Sequence, residues 1–366
     1  MRILFALPGL HRVSRGAEVA FMAVASELAR LGHEVTLIGS GDCRSDIPYR
    51  YLRAPLIPRE RFERIPSLPV FRSETAWEEA TFLAGFLKIY RPQQYDVTLT
   101  CSYPFLNWAL RARKFKGTRP AHVFVTQNGD WPARSQRSEF RYFDCDGLIC
   151  INPDYYRHNQ SRYEVALIPN GVDLTKFHPG ADSRAQFCLP SGVPIVLMVS
   201  ALIESKMVET GIRAVSSMSD VHLVVAGDGP LREQLRAKAE AIMPGRYHNF
   251  TVAADRMPEL YRSVNVFLHL SRDESFGNVF VEAMASGVTT VAWDLERTRW
   301  ITGETAMLSP DGDEAALIGQ LIEAIEHPKS KDVITRRALQ FSWTSIAQQY
   351  REFLNVVTGK HMGVDE

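Results

Sequence analysis

At 366 residues the chain is too long for one ordinary hydrophobic core and suits two domains. Its 45% hydrophobic and 23% charged residues exclude a disordered or fibrous protein, and no apolar run is long enough for a membrane-spanning helix. Basic and acidic residues balance at 42 each, so nucleic acid is not an expected partner, yet residues 1–178 hold 24 basic against 18 acidic side chains and the remainder holds the reverse. The basic first half suits an anionic ligand or an anionic membrane surface, or is simply a set of solvated faces.

Met1-Arg2 leads straight into an apolar strand, Ile3 to Leu7, with no cleavage-site pattern, which predicts no signal peptide and a cytoplasmic protein. The five cysteines, Cys43, Cys101, Cys145, Cys150 and Cys188, are scattered without a Cys-x-x-Cys pair, which argues against a disulfide framework or a zinc site. A loop, Pro8 to Arg15, precedes an amphipathic helix from about Gly16 to Leu31 with Val24, Leu28 and Leu31 on one face and Gly32 as its stop. Val35 to Gly39 is the next strand. The βαβ order puts the helix start, at Gly16, where a phosphate or hydroxyl fits, although the G-x-G-x-x-G dinucleotide fingerprint is missing.

Residues 42–92 read as irregular except for a helix from Ser73 to Tyr90, and are either a specificity-determining surface or only a long covering loop. Val97 to Thr100, Ala121 to Thr126 and Gly147 to Ile151 are further apolar strands. A basic stretch, Leu110 to Arg119, interleaved with Phe115, is either a contact for anionic lipid or a solvated surface. The strand ending at Thr126 delivers Gln127-Asn128-Gly129-Asp130 to the carboxyl edge, where ligands bind in doubly wound sheets. Asp144-Cys145-Asp146 has the spacing of a metal-binding pair, but it precedes a strand and reads as a turn, so no metal site is expected.

Ile168-Pro169-Asn170-Gly171-Val172-Asp173 and the prolines Pro179, Pro190 and Pro194 mark the domain boundary. A second strand-and-helix series follows: Ile195 to Val199, a helix near Glu209 to Ser217, Val221 to Ala226, a helix from Pro230 to Ala241, Phe250 to Ala253, Val264 to Leu270, and Thr289 to Ala292. The loop after Leu270 carries Glu274, then a helix start at Phe276-Gly277-Asn278 with Val279 in its first turn and Glu282 one turn on. First-turn amides lack intrahelical acceptors and suit a phosphate, while the two carboxylates suit sugar hydroxyls; alternatively Glu274 only neutralises the helix dipole and Glu282 is a solvated helix residue. With Phe280, Ala283, Met284 and Gly287 facing the sheet, Glu282 is expected to point away from the core.

Taken together, these segments resemble a glycogen-synthase-like retaining glycosyltransferase of family 4. Arg15-Gly16-Ala17-Glu18 is similar to the family's Gly-Gly-x-Glu, Ile168 to Phe177 to its interdomain signature, and Ala226-Gly227-Asp228-Gly229-Pro230 to a turn of the family. Glu274-x7-Glu282 with Phe276-Gly277 is similar to its donor motif, and Phe341-Ser342-Trp343 to the start of its last helix. The resemblance implies an α/β GT-B fold, two Rossmann-like doubly wound domains facing an interdomain cleft. It implies an acceptor-binding domain over 1–172, a nucleotide-sugar-binding domain over 173–342, and a final helix and tail over 343–366 that crosses back.

The resemblance assigns roles to individual residues. Glu274 would bind donor-sugar hydroxyls, Glu282 the nucleotide ribose, and Lys206 the leaving diphosphate. Amides around Phe276, Gly277, Asn278 and Val279 would hold sugar and phosphate, while Gly16 and Ser200 would lie against the donor. Asn128 stands where the family commonly has a cleft histidine, and Ala201 where it has the arginine that shares the diphosphate. No cofactor or metal is then required beyond the nucleoside-diphosphate sugar, and the acceptor would be a glycan, a lipid-linked sugar or a small molecule, with peripheral membrane contact through the basic domain. The competing readings are a nucleotide-sugar 2-epimerase and a catalytically silent sugar-nucleotide-binding scaffold.

Overall fold

The computed structural model describes residues 1–112 and 119–359. The chain divides into two compact units, residues 1–170 together with the chain from Trp343, and Gly171–Ser342. The basic stretch expected at Leu110 to Arg119 falls largely on residues 113–118, outside the described residues.

In the first unit the described residues form β1 (Arg2–Ala6), β2 (Glu34–Gly39), β3 (Arg50–Arg53), β4 (Val97–Thr100), β5 (Ala121–Val125), β6 (Gly147–Cys150) and β7 (Val165–Leu167). They make one parallel sheet in the order β3-β2-β1-β4-β5-β6-β7. Strands β1, β4, β5 and β6 are buried nearly throughout, which is why their sequences are apolar runs instead of alternations. The helix Gly16–Arg30 buries Ala20, Phe21, Val24, Ala25 and Leu28, and ends at Gly32 with φ +85°. Against it packs the helix Trp343–Thr358, burying Ile346, Ala347, Tyr350, Phe353 and Leu354, with Thr344 Oγ1 donating to Glu27 Oε2 at 2.9 Å.

The second unit holds β8 (Ile195–Val199), β9 (His222–Ala226), β10 (Tyr247–Phe250), β11 (Val266–His269), β12 (Thr289–Trp293) and β13 (Ala306–Ser309). These form a parallel sheet in the order β10-β9-β8-β11-β12-β13. Alternation along β11 divides its neighbours. Val266 and Leu268 join the core under the helices Val208–Ser216 and Glu314–Glu326, while Phe267 and His269 face Phe280 on the helix Asn278–Ala285. The strand expected at Phe250 to Ala253 lies three residues earlier, at β10.

In both sheets the strand order reverses once, between β1 and β4 and between β8 and β11. At such a switch point the two loops leave toward opposite faces and open a crevice at the carboxyl edge. The loops after β8 and β11 carry Lys206 and Glu274.

Candidate functional site

After β8 the chain runs through Ser200, Ala201 and Leu202 into a short turn, Glu204–Lys206, and then the helix Val208–Ser216. Leu202 N donates to Asp228 O at 2.9 Å and Leu231 N to Leu202 O at 3.1 Å, so the loop is tied to the turn after β9. That turn needs Gly227, because a Cβ there would lie 1.8 Å from Ser200 O. Ala201 is exposed, and the buried Ser200 hydroxyl makes no hydrogen bond among the described residues.

The tied loop aims Lys206 at the loop after β11. Its ammonium lies 2.5 Å from Glu274 Oε1, and 3.4 Å from both Ser271 Oγ and Asp273 O. His269 Nε2, at the end of β11, is 3.4 Å from the same Glu274 oxygen. Burial works to raise the Glu274 pKa, but His269 and Lys206 overcome it and hold it down to about 2. The carboxylate is therefore fixed, charged and partly desolvated.

Phe276 is buried, with its ring edge-on to Trp300 at 6.1 Å and tilted on Phe341 at 6.2 Å. Gly277 follows with φ +97° and caps the helix Asn278–Ala285, so Asn278 and Val279 stand in the first turn, where amides lack intrahelical acceptors. Phe280, Ala283 and Met284 are buried as expected from their spacing.

Glu282 does not point away from the core. Its Oε2 accepts from the buried Tyr261 hydroxyl at 3.0 Å, and burial pushes its pKa up to about 7. Periodicity placed Glu282 on the right turn but could not see Tyr261, which reaches it from the helix Met257–Arg262.

Arg297, in the first turn of the helix Glu296–Thr302 that follows β12, was not anticipated from the sequence. Its guanidinium donates to Arg272 O at 3.0 Å, while Lys206 reaches the next carbonyl, Asp273 O. Two cations thus hold successive carbonyls of the loop that carries Glu274. Consecutive Cα atoms are about 3.8 Å apart, so the two charges lie within roughly 12 Å of each other.

Gly16 and Asn128 belong to the first unit. Gly16 is exposed at the start of its helix, and the buried Glu18 carboxylate lies against Gly9. Asn128 is exposed in the loop after β5, its Nδ2 3.8 Å from Cys101 Sγ at the end of β4. The carboxylates of Asp144 and Asp146 are taken by Arg111, at 3.1 Å, and by Arg119.

A carboxylate, a lysine and a helix start at a switch point are groups whose chemistry suits an anionic, hydroxylated ligand. The model of glycosyl transferases group 1 matches residues 181–341 and that of Glycosyltransferase Family 4 matches residues 14–176. The chain belongs to glycosyltransferase family 4, of GT-B fold, and is a glycosyltransferase.

It is 25% identical over 97% of its length to a GDP-mannose-dependent alpha-mannosyltransferase of Mycolicibacterium smegmatis, covering 96% of that protein. The fold is that of sucrose-phosphate synthase from Thermosynechococcus elongatus, with TM-score 0.76, 20% identity, and 98% and 100% of the two chains covered. It is equally that of HepE from Anabaena in complex with UDP-glucose, with TM-score 0.70, 17% identity, and 97% and 100% covered.

Proposed function

We propose that the protein is a retaining, metal-independent hexosyltransferase that moves a sugar from a nucleoside-diphosphate sugar to a hydroxyl of a carbohydrate or lipid-linked acceptor. The observation that carries this reading is the Lys206–Glu274 pair, 2.5 Å apart beside the helix start at Asn278. The relative named for GDP-mannose and the HepE complex with UDP-glucose support the donor class.

In this reading residues 173–342 bind the donor and residues 1–172 the acceptor. Lys206 and the amides of Phe276 to Val279 take the diphosphate, Ser200 and Gly16 lie against the donor, and Glu282 accepts from the ribose hydroxyls. Arg297 supplies a second cation, which Ala201 cannot. Glu274 holds sugar hydroxyls on the reacting face, and its fixed negative charge also favours positive charge developing on the sugar.

The bond from the anomeric carbon to the phosphate oxygen breaks and the electron pair leaves with the nucleoside diphosphate. The acceptor oxygen attacks from the same face, and a phosphate oxygen of the leaving group takes the acceptor proton. Asn128 hydrogen-bonds the sugar or acceptor without taking that proton. Because Lys206 and the amides carry the charge of the leaving group, the proposed chemistry does not call on a metal.

The test is proton NMR of the hexose first released from α-linked UDP- and GDP-sugars, with and without saccharide acceptors. Initial release or transfer as the α anomer is expected. Initial β-hexose would overturn retention, and an isomerised donor would overturn transfer in favour of the 2-epimerase. An intact donor would favour the silent scaffold, the reading to which Ala201 points.

A further inference from the structure

The first unit exposes a tryptophan directly behind Asn128. Trp131 opens the turn Trp131–Arg134 at the carboxyl edge of β5 and is 45% exposed, although a large aromatic ring is normally buried. Its indole N–H is already satisfied, donating to Asn128 O at 3.0 Å. The ring is set edge-on by Tyr103, with centroids 6.0 Å apart at 84°, and by Phe140, at 5.1 Å and 78°.

That support is itself fixed: Tyr103 donates its hydroxyl to the Glu139 carbonyl, and the buried Glu139 carboxylate is held by Arg72 and Ser138, which keep its pKa low. The indole therefore offers a rigid apolar surface that needs no hydrogen-bond partner. A pyranose stacks its C–H face on such a surface.

Arg134 lies three residues on from Trp131 and so on the same face of that turn, and Arg137 follows it. Both are exposed, and neither has a carboxylate partner among the described residues. The half of the chain that carries them has an excess of basic residues, 24 against 18.

We propose that Trp131, Arg134 and Arg137 bind the saccharide part of the acceptor, and that this saccharide is anionic, bearing a carboxylate or a phosphate. The ring of Trp131 takes the sugar face, and the two guanidinium groups take the negative group. This names the acceptor class and rests on the transferase reading. It also moves acceptor choice from residues 42–92 alone to the segment that follows Asn128.

The test is titration of the full chain with trigalacturonate, mannose 6-phosphate, neutral maltotriose and phosphatidylglycerol vesicles, with UDP and GDP titrated in parallel. One anionic saccharide should bind at least ~10-fold more tightly than maltotriose, and which one distinguishes carboxylate from phosphate. Trp131→Ala should weaken every saccharide by at least ~5-fold, Trp131→Phe should keep most of the affinity, and Arg134→Gln with Arg137→Gln should remove the anionic preference.

Equal binding of neutral and anionic saccharides, indifference to Trp131→Ala, no saccharide binding, or vesicle binding that needs these residues without any saccharide preference would each overturn the proposal. Native protein that binds a nucleotide but fails the saccharide arm sinks this inference alone. Protein that binds neither overturns the transferase reading with it.

Discussion

At the scale of single residues, the site rests on three ionisable groups in different environments. His269 and Lys206 hold Glu274 ionised against its burial, whereas burial beside Tyr261 keeps Glu282 near its midpoint at neutral pH. Lys206→Ala or Glu274→Gln should lower turnover by at least ~100-fold with folding intact, as for removal of a group acting in the transition state. Near-native turnover in either variant would remove that residue from the chemistry.

Glu282 makes a pH-dependent prediction. Its pKa is raised to about 7, so it gains its full acceptor capacity only as pH rises through that value. Nucleotide affinity should increase on the order of 10-fold between pH 6 and 8, and Glu282→Gln should be flat over the same range. A parallel pH dependence in the variant would count against the ribose role.

The spacing of Glu274, the helix start and Glu282 was legible in the sequence because all three lie within nine residues. His269, Tyr261 and Arg297 were not, because each reaches the site from another element and no local pattern reports where a side chain from elsewhere arrives.

At the scale of elements, strands buried on both faces declared themselves and edge strands did not. Ile195 to Val199 was read to the residue, since a continuous β-branched and aliphatic run is what a doubly covered strand requires. The edge strands β3, β7 and β10 are only partly buried, and Arg50–Arg53 and Tyr247–Phe250 carry polar residues that hide the pattern. β3 was therefore absorbed into an irregular segment and β10 was displaced.

Two element junctions can be tested. Gly277 turns the chain into its helix at φ +97°, so Gly277→Ala should cost about 1–2 kcal/mol and lower the melting temperature; unchanged stability would refute that conformational demand. Glu79 is buried, accepts from Leu106 N at 2.7 Å, and has its pKa raised by burial to about 8 against an ordinary 4.5. A raised carboxyl contributes stability that is full below about pH 4.5 and is lost as pH rises through 8. Glu79→Gln should therefore flatten the fall in melting temperature between pH 5 and 9, and an equally steep fall would contradict the assignment.

At the scale of the molecule, the first unit is completed by the last helix of the chain. Trp343–Thr358 buries Ile346, Tyr350, Phe353 and Leu354 against that unit. Each fully buried side chain of this size is worth about 1.5–3 kcal/mol, and together they rival the roughly 5–15 kcal/mol by which a domain is stable. Truncation after Ser342 should strip hydrogen-exchange protection from β1 and the helix Gly16–Arg30 while nucleotide binding by Gly171–Ser342 persists. Unchanged protection in the first unit would show that the helix is dispensable.

The most direct measurement is calorimetric titration of the full chain with UDP, GDP, dTDP, ADP and CMP, each in magnesium and in EDTA. One diphosphate should bind equally well in both, and Lys206→Ala should weaken it by at least ~10-fold. Binding of none, or binding that needs magnesium, would contradict a donor site built on Lys206, Glu274 and the helix start at Asn278.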